Sequence, residues 1–263
     1  IIFTLVSKLL GFFREILIAA NFGSGIETDT LFIALSASGI IGNFLKVGIN
    51  TTFIPVISEV ETKEGRKGKI NHTNNMINIV ILISMILTSL AFLGAPILVK
   101  ILANGFVNEQ FDLTVKLTRI GLPMILFSGI IGVLTGYLQS EERFNGTAGI
   151  GISFNLVYIF YLIFLPKYFG IKGLMIAGVF ATISQLLVQI PETKLTNFKY
   201  KFIFDIKDKY IIKILYLSLP VLLGVAINDL NVIVDKTLAS SLAFGSISAL
   251  NYANRLNQLI LGV

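Results

Sequence analysis

The sequence predicts an all-α polytopic membrane protein, and three observations carry that expectation. Hydrophobic residues make up 54% of the 263 and charged residues 14%, where soluble domains carry about 25% charged. Mean hydropathy is +0.83. Apolar runs of the length a bilayer requires, about 20 residues, recur at 1–21, 29–58, 75–103, 113–139, 147–166, 171–191, 211–242 and 247–263.

Each run ends in chemistry that stops a helix. Gly23, Ser24 and Gly25 close the first, and Thr28 and Asp29 are placed to cap the second. Asn104 and Gly105 end the third; Glu141, Glu142 and Arg143 form a short interfacial loop after the fourth; Pro166 closes the fifth. The first residue, Ile1, and the last five, Leu259 to Val263, lie in apolar stretches. The chain therefore reads as a fragment cut within a helix at both ends.

Lysine and arginine set the expected orientation. One side collects Lys63, Arg66, Lys67 and Lys69, then Arg143, then Lys194, Lys199, Lys201, Lys207, Lys209 and Lys213; the opposite loops hold only Lys167 and Lys172. The basic side is expected to be cytoplasmic, with the N-terminus on it. This distribution also accounts for the net charge of +6 without nucleic acid, because the basic residues fall between apolar runs rather than on one polar face. The two basic loops read as solvated topology signals, with recognition of anionic lipid or nucleotide as the other reading. The expected units are a first bundle at 1–191, a basic cytoplasmic linker at 192–210 and the start of a second bundle at 211–263.

Enzyme signatures do not occur. The sequence has no cysteine and one histidine, and no HExxH, P-loop or GxSxG pattern appears. His72, in the polar run Asn71 to Asn74, reads as a solvated surface residue.

The charges inside apolar runs are more informative. Lys100, Lys116 and Arg119 lie near helix ends, from which they reach headgroups. Lys8, Arg14, Lys46 and Arg255 lie deeper, where a cation costs roughly 2.5 to 3.5 kcal/mol. These are expected to face a wet cavity lined by protein, and several cations in one apolar bundle point to an anionic cargo. The planar donor fork of arginine suits phosphate. Glu15 shares a helix face with Lys8, and Asp229 with Lys236, each pair seven residues apart, so ion pairing is an alternative role for those cations. Arg14 and Arg255 have no partner at such spacing. Gly11 is expected to loosen the first helix among its polar neighbours. Asn228, Asn231 and Asp235 follow one stripe at i, i+3 and i+7, offering oxygens to a small cation; an interhelical hydrogen-bond cluster is the other reading.

The run Ser7-Lys8-Leu9-Leu10-Gly11-Phe12-Phe13-Arg14-Glu15, followed by Phe22-Gly23-Ser24-Gly25 and Thr28-Asp29, resembles the first-helix signature of the MurJ (MviN) lipid II flippases. Thr52-Phe53-Ile54-Pro55-Val56 is similar to that family's phenylalanine-x-proline segment. Ser248 to Leu256 resembles its tyrosine-alanine-aspartate-arginine-leucine stretch. The resemblance implies a two-lobed transporter of fourteen helices in the multidrug/oligosaccharidyl-lipid/polysaccharide superfamily. This chain would hold the six-helix N-lobe, the seventh helix and part of the eighth. It implies a lipid-linked anionic cargo, lipid II, moved without covalent chemistry or organic cofactor. Coupling to Na+, H+ or the membrane potential is implied, as are membrane lipids and the cell-wall synthesis machinery as partners. Arg14 and Arg255 match cavity arginines, Lys8 stands where another is usual, Glu15 completes the first-helix signature and Asp29 matches the acidic residue opening the second helix. Asp235 corresponds to an ion-ligating acid of the seventh helix. Departures are Gly42 at the place of a cavity arginine, Val47 at that of an acid, and Asn254 before Arg255. Lys46, one turn beyond Gly42, is positioned to restore the missing charge.

Two alternatives remain: carriage of another polyprenyl-linked oligosaccharide or a related exporter activity, and a transport-dead scaffold for cell-wall assembly. Topology is testable directly, since single cysteines at positions 67 and 201 of the full-length parent are expected to label only after membranes are opened. A cysteine at 108 should label in intact cells.

Overall fold

The computed structural model describes residues 2–261, and among them the chain forms nine helices and no strand. They are α1 (Ile2–Phe22), α2 (Ile26–Leu93), α3 (Ala95–Leu102), α4 (Asn108–Gly121), α5 (Pro123–Ser140), α6 (Phe144–Phe164), α7 (Pro166–Leu195), α8 (Lys209–Ala239) and α9 (Ser246–Leu261). The expected ends at Ile1, Gly262 and Val263 lie outside the described residues. Five helical stretches are long and apolar enough to cross a membrane: Ile26–Leu93, Asn108–Ser140, Phe144–Phe164, Pro166–Leu195 and Lys209–Ala239. The first contains the whole second expected span and most of the third. α1 carries Lys8, Arg14 and Glu15, and α9 has 16 residues.

The polar stretch expected to be a loop between the second and third spans is helical on both sides of a break at Gly65, whose φ is 68° and ψ −175°. That break folds α2 back on itself. A Cβ at residue 68 would lie 2.5 Å from that of Glu64, whereas residues four apart on one helix keep their Cβ atoms about 5–6 Å apart. Across the fold, Lys69 Nζ reaches Glu61 Oε2 at 2.7 Å. Pro166 opens α7 rather than closing α6, supplying the fixed φ and missing N–H that a first helical turn accepts.

The folded-back arm changes two further readings. His72 is not a solvated loop residue: its Nε2 lies 2.9 Å from Glu64, its Nδ1 meets Asp208, and its ring packs edge-on against Tyr210. Glu141 is likewise more than a surface turn, because Lys69 and Arg66 grip it at 2.6 and 3.1 Å while its side chain is 9% exposed. Nearby, Lys213 and Lys63 hold the Glu59 carboxyl down at about 2 by hydrogen bonding to it from α8 and from its own helix.

The apolar interior divides along α2. Leu31, Ile33 and Ala34 pack with Ile18, Tyr158, Leu174 and Met175, and Phe53, Val56 and Ile57 pack with Val80, Val133, Tyr137 and Ile214. Between them, α2 turns Ser36, Gly39, Asn43 and Lys46 toward polar cavities. α5 approaches α2 closely through small residues: a Cβ at Gly132 would meet the Lys46 backbone at 3.1 Å, and one at Gly136 would meet Phe53 at 2.9 Å. This is the small-residue packing by which membrane helices gain dispersion contact.

Gly65→Ala should destabilise the full-length parent in detergent by about 1–3 kcal/mol, because only glycine adopts that backbone without strain. Gly25, extended and open around its Cα, supplies the control, and its alanine variant should shift thermal unfolding little. Equal effects of the two would discount the fold-back geometry.

Candidate functional site

Arg14 enters the protein interior from the middle of α1 and is 9% exposed. Its Nη1 donates to Asn155 Oδ1 on α6 at 3.1 Å, and its Nη2 lies 2.6 Å from Glu15 Oε1. The guanidinium also sits over the rings of Phe154 and Tyr158, 5.5 and 5.1 Å from their centroids. Charge-assisted hydrogen bonds and ring faces together offset the roughly 2.5 to 3.5 kcal/mol that a buried cation costs in a membrane helix.

Arg255 on α9 reaches the same carboxylate. Its Nε is 3.6 Å from Glu15 Oε1, and its Nη1 donates to Gln258 at 3.0 Å. The expectation that both arginines lack partners is therefore overturned, because i,i+7 spacing does not register a partner one residue away or on another helix. Glu15 joins them, and its Oε2 is buried without a hydrogen bond.

Three adjoining cavities of about 470, 370 and 290 Å³ all border Arg14 and Arg255. The largest adds Asn43 of α2, Asp229 and Asp235 of α8, and Asn254 of α9. The second adds Lys46, Ser128, Thr182 and Gln185; the third adds Ser7, Lys8 and Asn155. Lys8, Arg14, Glu15, Lys46, Asp235 and Arg255 thus converge from α1, α2, α8 and α9. Gly42 borders this space too, but a Cβ there would come within 3.0 Å of Ser128 Oγ, so an arginine at 42 would displace that serine.

Four sequence readings are corrected. Asp29 lies outside the arginine cavity and is 2% exposed. Its Oδ2 accepts from the Gly245 amide at 2.7 Å and its Oδ1 from the Ser248 amide at 2.8 Å. Asp29 therefore caps α9 from a distance, while Thr28 Oγ1 accepts the Gly25 amide at the head of α2. Asn228 and Asn231 are exposed and border none of the three cavities; Asp229 is the α8 neighbour that shares one with Asp235. Lys236 does not depend on Asp229, since its ammonium donates to the Phe32 carbonyl at 3.0 Å. Gly11 leaves α1 unbroken and faces Asn155, which lies 3.6 Å from where a Cβ would sit, an ordinary contact distance.

Asn155 is a cavity residue that sequence reasoning missed, as it did Asn43, Ser128, Thr182 and Gln185, although a lone amide inside the apolar run 147–166 was the available signal. Among the described residues no group of three or more histidine or acidic side chains is arranged for a metal ion.

The family model described as lipid II flippase MurJ matches residues 18–263. The chain belongs to the MurJ family. Its relatives include the probable lipid II flippase MurJ of Buchnera aphidicola subsp. Baizongia pistaciae, 32% identical over 266 residues that cover 99% of this chain and 52% of the relative. The lipid II flippase MurJ of Burkholderia cenocepacia is 25% identical, with 99% and 53% covered. A solved lipid II flippase MurJ in an inward closed conformation superposes with a TM-score of 0.84 at 27% identity, covering all of this chain and 55% of that one. An inward-facing MATE multidrug transporter shares the fold at a TM-score of 0.76 and 16% identity, with 96% and 58% covered. The chain spans about half the length of the curated MurJ relatives it matches. As a member of a transporter family with several helices of spanning length, it is a multi-pass membrane protein.

Asp29 is the clearest structural test in this MurJ half. Asp29→Ala should leave buried donors on α9 unpaired, at about 1–3 kcal/mol for each, and lower thermal stability; Asp29→Asn, which keeps one acceptor oxygen, should lose less. Parent-like melting of the alanine variant would remove the capping role.

Proposed function

We propose that this chain is part of a flippase that moves undecaprenyl-diphosphate-linked lipid II across the bacterial inner membrane by alternating access, with the basic side and the N-terminus in the cytoplasm. The observation that carries the reading is the pairing of Arg14 and Arg255 on one carboxylate, Glu15, at a cavity wall. Two guanidiniums from different helices, converging beside open space, form a receptor for a group with several anionic oxygens. Lys46, on the neighbouring wall, adds positive charge where Gly42 has no side chain, and Lys8 extends the basic lining toward the start of α1. The cargo moves without covalent chemistry.

Asp235 and Asp229 are the acidic groups through which Na+, H+ or the membrane potential would act, and one Asp229 oxygen is buried without a partner. The polar lining of Asn43, Ser128, Thr182 and Gln185 offers neutral donors and acceptors to an uncharged part of the cargo.

The deciding experiment expresses the full-length parent in a bacterium depleted of its own flippase. The parent should sustain both growth and lipid II translocation. Arg14→Lys and Arg255→Lys should each reduce translocation by about tenfold or more at normal expression, since a charge-assisted hydrogen bond is worth about 1.5–3 kcal/mol. Lys46→Ala should also impair it. Parent-level translocation by the alanine variants of both arginines would defeat the proposal. Growth without translocation would favour a scaffold, and neither growth nor translocation a different lipid-linked cargo.

A further inference from the structure

Between α7 and α8 the chain crosses without regular secondary structure over 198–205, and its backbone is pinned by an asparagine ladder on α2. Asn74 Nδ2 donates to the Lys199 carbonyl at 3.0 Å, Asn78 Nδ2 to that of Ile203 at 2.9 Å and Asn75 Nδ2 to that of Asp205 at 2.9 Å. Asn75 Oδ1 accepts the Asp205 amide at 2.8 Å, and the Tyr200 hydroxyl donates to Asn78 Oδ1 at 2.6 Å. All three asparagines are buried. Downstream, Asp208 accepts from Asn75 at 3.0 Å and caps α8 through the Tyr210 amide. Each of the three amides donates its Nδ2 to a backbone carbonyl of the segment, which makes this crossing a fixed edge rather than a slack tether.

What the ladder displays is unusual for a surface bathed in water. Tyr200, Phe202 and Phe204 stand 57%, 78% and 44% exposed. The rings of Phe202 and Phe204 are nearly parallel, 10° apart, with centroids 6.5 Å from each other. Lys199, Lys201 and Lys207 are exposed among them. The ladder rises from the start of the apolar run 75–103, so the segment lies at the level where that run enters the membrane. At this level, aromatic rings and lysines are satisfied together, the rings at the acyl boundary and the ammonium groups on phosphates.

We propose that residues 198–207 form a binding strip for anionic phospholipid headgroups on the basic side of the membrane. Charge complementarity selects the occupant: the strip carries three lysines against Asp205, and each lysine close to an anionic surface strengthens binding by about fivefold at physiological salt. The stacked phenylalanines fix depth and the lysines fix headgroup type. The strip stands apart from the arginine cavity. It shares with the proposed function only the membrane setting and the assignment of the basic side.

The test uses the full-length parent in vesicles and a Phe202→Trp reporter. These 263 residues contain no tryptophan, and emission is read as the difference from the parent. Brominated phosphatidylglycerol should quench the reporter at about one-fifth or less of the concentration that brominated phosphatidylcholine requires, and the preference should shrink in high salt. Combined Lys199→Gln, Lys201→Gln and Lys207→Gln should bring the two lipids close to parity while quenching persists. Arg14→Ala, which disables the proposed cargo cavity, should leave the preference intact, separating failure of this proposal from failure of the transport reading. Quenching by neither lipid would show a strip facing water or covered by protein, and equal quenching by both would show an apolar contact without headgroup selection; either result overturns the proposal.

Discussion

Burying a guanidinium among apolar helices is the constraint around which this interior is organised. Arg14 cannot leave α1, and no length of side chain returns its charge to bulk water from the middle of the helix. The fold answers with a carboxylate, an amide and two ring faces drawn from α1 and α6. Each answer makes its own demand. Asn155 must be fastened, and its Nδ2 donates to the carbonyls of Ser7 and Gly151. Glu15 must also be neutralised, and Arg255 arrives from α9 to do it. A single buried charge thereby fixes the spacing of three helices.

The same logic acts at the start of α2 and at its fold-back with different chemistry. Asp29 holds the amides that open α9, and Ser24 Oγ donates to the Gly245 carbonyl beside it at 2.8 Å. At the folded-back arm, Glu59, Glu64 and Asp208 tie α2 to the start of α8 through Lys213, Lys209 and His72. α9 is thus fastened to α2 at its start and α8 at its fold-back, while the region between is lined by cavities.

Spans and interior charges were legible because hydrocarbon leaves sequence few choices: twenty apolar residues and an out-of-place cation are strong signals. Arg14, Lys46 and Arg255 stand at one cavity system, as their depth in apolar runs required. Partnerships were less legible. Glu15 was matched to Lys8 by helical spacing, yet it bridges arginines from two helices, a relation no periodicity encodes. Asp29 had the composition of a cap, but its target is 216 residues away at Gly245. His72 looked solvated because Asn71, Thr73 and Asn74 surround it; the fold-back at Gly65 and the distant Asp208 supply its partners. On α8, the polar residues suggested one stripe through Asn228 and Asn231, but packing against α2 selected the adjacent one through Asp229.

The Arg14–Glu15 contact has a property that bears on how the cavity works. Neighbouring residues on a helix point about 100° apart and do not face each other, so their 2.6 Å contact depends on the reach of two long side chains rather than on the backbone. Only side-chain torsions have to change to break it. Asn155 holds the other end of the guanidinium independently, so Arg14 keeps its position when Glu15 swings away. An anion entering between Arg14 and Arg255 therefore competes with one movable carboxylate, and no helix has to unfold or shift to admit it. The released Glu15 would then lie beside Arg255 and the open part of the cavity, where its buried Oε2 gains access to water. In the proposed transport role, that exchange would couple occupancy of the site to the charge presented to α8 and α9, which a rigid, fully satisfied pair could not provide.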